Sequence, residues 1–212
     1  MDNPILDLFA LRGRLISKDV SPWQTFSGKG MEFHLESYDW DYCACVSFLS
    51  MRGFFGLMKM ETLICTPYAQ DIPLFSYDRI HAFGNQSLLL ELYNTQSKPI
   101  NLSSLDAVKS SYKDLRNKKV KSGWYDGLRL SPSTFKQGSE NHLSQLGRDM
   151  ATAYLDLFSN LHDVDISVKK GITRAYVEGL ISNGGPAINT IRGMLGDEAT
   201  ETLFRRFIFG TE

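Results

Sequence analysis

Between residues 30 and 95 the apolar side chains of this sequence recur at every second position, and short turns join the segments with no helical stretch between them. Strands that follow one another so closely pair antiparallel, because a parallel pair needs a crossover of roughly a dozen residues. Met31-Glu32-Phe33-His34-Leu35-Glu36 alternates cleanly, as does 42–48. Gly53 and Gly56 mark a turn before a strand over 57–65, and 67–73 reads as a proline-bounded loop. Strands over 75–83 and 88–93 come next, split by Gly84-Asn85. The pattern predicts an antiparallel meander of about five strands.

Helical spacing brackets this meander. Residues 4–16 carry Ile5, Leu8, Phe9 and Leu15/Ile16 behind an Asn3-Pro4 start, which suits a helix first turn. A helix over 103–116 is capped by Ser103 or Ser104 and closes on Lys118-Lys119-Val120-Lys121, positive as a C-terminus prefers. A short strand is expected over 125–130, ending at Ser131-Pro132. The strongest helix comes after it, with Leu143, Leu146, Met150, Ala153/Tyr154, Leu157/Phe158 and Leu161 on one stripe. Further helices are expected over 167–182, 187–194 and 197–207, broken at Asn183-Gly184-Gly185-Pro186. A sheet met by helices from both sides buries both faces. The predicted fold class is therefore α+β: a three-layer α/β/α sandwich with a central, mainly antiparallel sheet, in one domain over 1–212. A chain of 212 residues can bury roughly 70% of its unfolded surface without disulfide or metal support.

Composition and motifs exclude several classes. Net charge is −1 from 23 basic and 24 acidic residues, which leaves room for a local basic patch but not for a globally basic nucleic-acid binder. No apolar run approaches the ~20 residues of a membrane span. Met1-Asp2-Asn3-Pro4 has no basic region ahead of an apolar stretch, so a secretory signal is not expected and a cytoplasmic monomer is. Cys43, Cys45 and Cys65 have no CxxC spacing, and His34, His81, His142 and His162 are scattered, so no metal site is expected. Asn183-Gly184-Gly185-Pro186 lacks the Lys and Ser/Thr of a P-loop. Ser27-Gly28-Lys29-Gly30 reads as a hairpin turn, and GxGxxG and GxSxG are absent.

Polar residues on the presumed sheet remain. By the period of two, Lys59, Glu61 and Leu63 share one face and Met60, Thr62 and Ile64 the other. Ser76, Asp78 and Ile80 likewise separate from Tyr77, Arg79 and His81. An acid in the middle of a doubly covered sheet is costly unless paired or functional. Periodicity alone equally allows a Lys59–Glu61 surface face with an Asp78–Arg79 edge pair.

Pro73-Leu74-Phe75-Ser76-Tyr77-Asp78-Arg79-Ile80, with Leu89-Leu90-Glu91-Leu92-Tyr93-Asn94-Thr95-Gln96 after it, resembles the central strand pair of the ferredoxin-dependent bilin reductases, where a PxFGxD-type strand occurs. Lys121-Ser122-Gly123-Trp124 through Leu130-Ser131-Pro132 resembles the family's Pro-Trp and the strand ending in Arg-Pro. The segment Ile191-Arg192-Gly193-Met194-Leu195-Gly196-Asp197-Glu198-Ala199-Thr200-Glu201, with Phe204 and Phe207-Ile208-Phe209, is similar to the family's closing helix. The similarity runs in order over roughly residues 55–212.

The resemblance implies an open-chain tetrapyrrole held between the sheet and the C-terminal helices, no resident metal or flavin, and single electrons from ferredoxin. It places Asp78 on the principal proton donor, and Glu61 or Thr62 near a second polar residue on the preceding strand. A register shift of one residue exchanges those two between faces. Lys59, Ser76, Asn183 and Arg192 complete the implied substrate contacts. The chain departs from the family at Gly185, where an aspartate is expected, and at Ala199-Thr200, where a Trp is missing. Lys109, Lys113, Arg116, Lys118, Lys119 and Lys121, with only Asp114 among them, read either as a solvated helix face or as a docking patch for an acidic electron donor. Three readings stay open: a bilin reductase, a bilin- or haem-binding protein without turnover, and an interaction domain that has lost the pocket.

Overall fold

The computed structural model describes residues 3–21, 23–120, 122–160 and 164–212. Helix α1 (Pro4–Arg12) begins where the Asn3 side chain accepts from the amides of Ile5 and Leu6, donors that a helix start leaves open. Strands β1 (Leu15–Ser17), β2 (Thr25–Gly28), β3 (Met31–Trp40), β4 (Ala44–Gly53), β5 (Met58–Pro67), β6 (Leu74–Ala82) and β7 (Asn85–Tyr93) come after it. Next are α2 (Ser103–Ser111), β8 (Arg116–Asn117) and β9 (Thr134–Gln137). The chain ends in α3 (Glu140–Asp156), α4 (Ile166–Asn183), α5 (Pro186–Leu195) and α6 (Asp197–Thr202), the last running into a π-helical turn over Leu203–Ile208.

Among the described residues the strands form one nine-stranded sheet in the order β1-β3-β4-β5-β6-β7-β9-β8, with β2 also paired to β3. Every pairing is antiparallel. The meander from β3 to β7 is as the alternation predicts, and the α+β sandwich stands.

The edges differ from the expectation. The helix predicted over 4–16 stops at Arg12, and Leu15 and Ile16 join β1. The helix predicted over 103–116 stops at Ser111 because the segment from Tyr112 to Leu115 is pulled inward. Tyr112 donates to Asp149 at 2.5 Å, and the buried Lys136 ammonium donates to the carbonyls of Tyr112 and Leu115. The strand expected over 125–130 is a 3-10 turn, Trp124–Leu128, and only Arg129 bridges to Tyr93. The helix expected over 197–207 keeps α-geometry only to Thr202. Leu161 and Lys121 lie outside the described residues.

The two sheet faces are covered unequally. Helices α1, α2 and α3 close one face, where Leu63, Cys65, Phe75, Tyr77, Leu88 and Leu90 are all buried. Tyr154 of α3 stacks on Phe75 at 4.7 Å and donates to the carbonyl of Pro73. Gly147 lets α3 approach, since a Cβ there would meet Tyr77 at 2.8 Å. On the opposite face α4, α5 and the π-turn cover β3 and β4, packing Val177, Ile181, Ile188 and Phe204 on Phe33, Leu35 and Leu49. Over β5–β7 that cover thins. Met58, Met60, Thr62, Ile64, Asp78, Ile80 and Leu89 keep partial exposure there.

Helix α4 is pinned by Lys169, which is fully buried. Its ammonium donates to the carbonyls of Ile72 and Thr95, each at 2.6 Å, and to the Thr95 hydroxyl at 3.2 Å. Three donors meet three acceptors, so the charge enters the interior with its hydrogen bonds complete. Lys169→Met keeps the length and leaves those carbonyls unpaired, at about 1–3 kcal/mol for each buried acceptor. The urea midpoint should fall with an unchanged m-value; an unchanged midpoint would remove Lys169 from the lock.

Candidate functional site

The register of β5 against β6 sets Thr62 opposite Asp78, and that of β6 against β7 sets Asp78 opposite Leu89 and Ser76 opposite Glu91. All of these point to the thinly covered face. The Thr62 hydroxyl donates to Asp78 Oδ1 at 2.5 Å and the Ser76 hydroxyl to Oδ2 at 3.3 Å. No cation pairs with Asp78 among the described residues. Burial pushes its carboxyl up to about 6; the Thr62 hydrogen bond opposes this, the charge of Glu91 adds to it, and the Ser76 bond opposes it again. A carboxyl so placed exchanges a proton near neutrality, under a rim of Met60, Ile64 and Leu89.

Glu91 is a second carboxylate on this face. It is buried and accepts from Arg129 Nε at 2.8 Å, while Arg129 Nη1 reaches Asp126 at 2.9 Å. Beside it stands an aromatic wall. Tyr93 lies 4.9 Å from Tyr176 of α4 and 5.8 Å from Tyr125, and Trp124 packs on both Tyr125 and Tyr176. Gly179 of α4 makes room for the indole, since a Cβ there would meet the Trp124 ring at 2.5 Å. Burial, with Tyr176 and Glu91 as neighbours, holds the Tyr93 phenol far above its ordinary range.

Next to these residues the sheet face opens into a cleft of about 240 Å³ lined by Leu89, Glu91, Arg129, Phe135, Lys109 and Lys118, among others. Leu89 joins the cleft to Asp78 across the β6–β7 pair. Lys118 stands over the Phe135 ring at 4.8 Å, and Lys109 donates to the carbonyl of Ser131 at 2.5 Å.

The sequence-predicted residues divide accordingly. Asp78, Thr62 and Ser76 come together. Glu61 and Lys59 do not: they lie on the α3 face, where Glu61 accepts from Asn3 and is paired in register with Arg79. The parity of the pairing decides this, and it corrects the assignment of Glu61 beside Asp78. Asn183 is exposed and bonds back to the Gly179 carbonyl of its own helix. Arg192 donates to the Ile181 carbonyl and ion-pairs with Asp197 at 3.0 Å, so it braces α4 against α5 and α6. Lys113, Arg116 and Lys119 are exposed, spread over a turn and a strand edge rather than one helix face, while Lys109 and Lys118 line the cleft. The three cysteines are free thiols; Cys43 sits in the turn before β4, and burial pushes it up to about 12.

Glu91 and Arg129 are not among the residues that the sequence pattern singles out. The signal for Glu91 is an acid inside the apolar run 88–93, at a position sharing the parity of Leu89 and Tyr93. For Arg129 no local pattern exists.

No protein-family model matches the chain, and no curated protein matches it by sequence. Among solved structures it resembles phytochromobilin synthase from tomato, determined in complex with biliverdin, with a TM-score of 0.74 at 14% identity. The match covers 98% of this chain and 80% of the tomato chain. The likeness is one of fold. It agrees with the α/β/α sandwich that the sequence resemblance implies.

The proton equilibrium of Asp78 is measurable through stability. Its folded pKa of about 6 lies above the ordinary 3.8, so over that interval the folded chain holds a proton the unfolded chain has lost. That contribution is complete below the unfolded value and is lost as pH rises through about 6. Asp78→Asn removes the titration, so its urea midpoint relative to the parent should be higher near about pH 8 than near about pH 4. A difference independent of pH would place the Asp78 pKa at its ordinary value.

Proposed function

We propose that this protein binds a linear tetrapyrrole on the open face over β5–β7 and reduces it with single electrons from ferredoxin, Asp78 supplying a proton. One observation carries the reading. A carboxyl that titrates near 6, held by Thr62 and Ser76, sits under a half-covered apolar face, on a fold that in the tomato enzyme was solved with biliverdin.

Biliverdin is large, planar and apolar at its rings, which suits Met60, Ile64 and Leu89, and it carries carboxylates, which suit Lys109 and Lys118 at the cleft. Reducing one double bond takes two electrons and two protons. Two reduced ferredoxins each lose one electron, the bilin gains both, Asp78 delivers one proton and is reprotonated from solvent, and solvent water supplies the second proton. Glu91 stays clamped by Arg129, and its charge adds to the burial that raises the Asp78 pKa.

A bilin carrier without turnover is the second reading. It is favoured by the position of Gly185 and Asn183 at the end of α4, where they bring no further carboxylate to the face. Adding biliverdin to the protein and then reduced ferredoxin separates the cases. A shifted bilin spectrum that then converts supports the reductase; a shift that persists supports the carrier. No spectral shift excludes both.

Asp78→Asn keeps the shape and one acceptor oxygen for the Thr62 hydroxyl, puts an amide NH2 in place of the other oxygen, and removes the transferable proton. Bilin affinity should hold, because apolar contact supplies most of it, while product formation falls about 10²- to 10⁴-fold. A one-electron-reduced bilin radical should persist in electron paramagnetic resonance under single-turnover reduction. Normal product from the variant would take Asp78 out of the chemistry.

The basic residues separate in the same assay. Lys119→Glu, exposed and outside the cleft, should slow ferredoxin-driven turnover at low salt with bilin affinity unchanged. Lys118→Glu should weaken bilin binding as well. Equal rates for Lys119→Glu and the parent across a salt series would refute docking at this edge.

A further inference from the structure

Four exposed apolar side chains gather at one end of the sheet, away from the cleft, while Leu11, Tyr42, Ile166 and Val168 are exposed singly or in pairs elsewhere. The turn from β4 to β5 presents Phe54, Phe55 and Leu57, which are 48%, 107% and 57% exposed, and the β6–β7 turn presents Phe83 at 63%. The two turns are one structural unit. The Phe83 amide donates to the Leu57 carbonyl at 2.9 Å, and the Phe54 and Phe83 rings lie 6.1 Å apart. Phe54, Phe55 and Phe83 all have left-handed backbone, with φ of 54°, 55° and 50°. Bulky residues rarely adopt that conformation, and here it turns the rings outward to solvent.

Behind this tip lies positive charge. Lys29, in the turn that accepts the Phe54 amide through the Gly30 carbonyl, is exposed. Arg52, Lys59 and His81 form a row on one face of the sheet, with Glu32 opposite Arg52. Arg52, Lys59 and His81 are set back by two positions from Phe54, Leu57 and Phe83, about 7 Å along a strand. An interfacial segment has the same layout, its apolar part sinking roughly 5–10 Å while cations stay at the headgroups.

We propose that this tip is a contact for an anionic membrane surface, with Phe54, Phe55, Leu57 and Phe83 entering the acyl boundary and Lys29, Arg52 and Lys59 meeting lipid phosphates. The shape favours lipid over a protein partner. Side chains from two adjacent turns make a narrow convex tip, whereas a stable protein interface takes about 800 Å² from each partner over a complementary face. The rings also bring no polar group that would set an orientation on a protein. Among the described residues no helix is long and apolar enough to cross a membrane, so the contact would be peripheral. It is independent of the bilin reading.

The test is co-sedimentation with extruded vesicles of phosphatidylcholine alone and of phosphatidylcholine mixed with phosphatidylglycerol. The parent should bind the mixed vesicles, and bind them less as salt rises. Phe55→Ser and Phe83→Ser should each lower the partition coefficient about tenfold. Lys59→Glu should weaken binding to mixed vesicles alone. Both serine positions are exposed, and an unchanged melting transition confirms that the variants fold. A parent that leaves both vesicle types in the supernatant, or a Phe55→Ser variant that binds as the parent does, overturns the proposal. So does a dimer in sedimentation velocity that Phe55→Ser abolishes without any vesicle binding, since the tip would then be a contact between copies.

Discussion

In an antiparallel sheet the register of one pair sets the parity of every residue on both strands, and in this molecule the pairing of Thr62 with Asp78 does so for β5 and β6. One parity faces α3, where Leu63, Phe75 and Tyr77 are buried without gaps. The other faces α4 and α5 and carries Met60, Thr62, Ser76 and Asp78. A slip by one residue would drive Glu61, Arg79 and Lys59 into the open face and leave Leu63 and Tyr77 uncovered. The stacked Phe75–Tyr154 rings and the Tyr77 ring against Gly147 oppose that slip from the α3 side. The well-packed face thus holds the chemistry of the other in place.

The open face in turn depends on opposing electrostatic effects, of which burial is the largest. Hydroxyl donors from Thr62 and Ser76 favour the ionised carboxyl, as a carboxylate accepts such bonds most strongly. Burial and the charge of Glu91 favour the neutral acid, and together they prevail. A planar apolar ligand laid over Met60, Ile64 and Leu89 would exclude water and raise the Asp78 pKa further. Ligand binding and proton retention by Asp78 would then be coupled. Arg129 keeps Glu91 compensated, so the second carboxylate can act through space without itself being left unpaired in the interior.

The parts of the fold that are legible in the sequence are those with periodicity over long segments. The β3–β7 meander and the side-by-side placement of Ser76 and Asp78 rest on local alternation and the stripe on α3 on a helical period, neither of which needs a partner to be visible. The misses have a common cause in long-range contacts. Strands β1, β2, β8 and β9 are too short to show a period, and they form because a neighbouring edge accepts them. Ser111 ends α2 because Tyr112 and Leu115 find Asp149 and Lys136, residues distant in sequence. Parity along β5 is readable, but the loop over 68–73 hides its phase relative to β6. Thr62 and Glu61 cannot be told apart until Asp71, buried and accepting from Ser97 and Lys98, fixes that loop.

At 14% identity to the tomato enzyme the fold persists because what it requires is sparse. In this chain it rests on alternation along the central strands, on Gly147 and Gly179 where α3 and α4 approach a ring, and on interior acceptors for Lys169. None of these specifies a particular acid on the open face. Position 185 is glycine here, starting α5 in extended backbone, and the second acid beside Asp78 comes from β7 as Glu91. A carboxylate on a strand is held by register, whereas one on an interhelical loop moves with its helices. The Asp78–Glu91 relation accordingly rests on the same pairing that orders the sheet, and any change that loosens the β6–β7 ladder reaches the proton equilibrium of Asp78 before it reaches the fold.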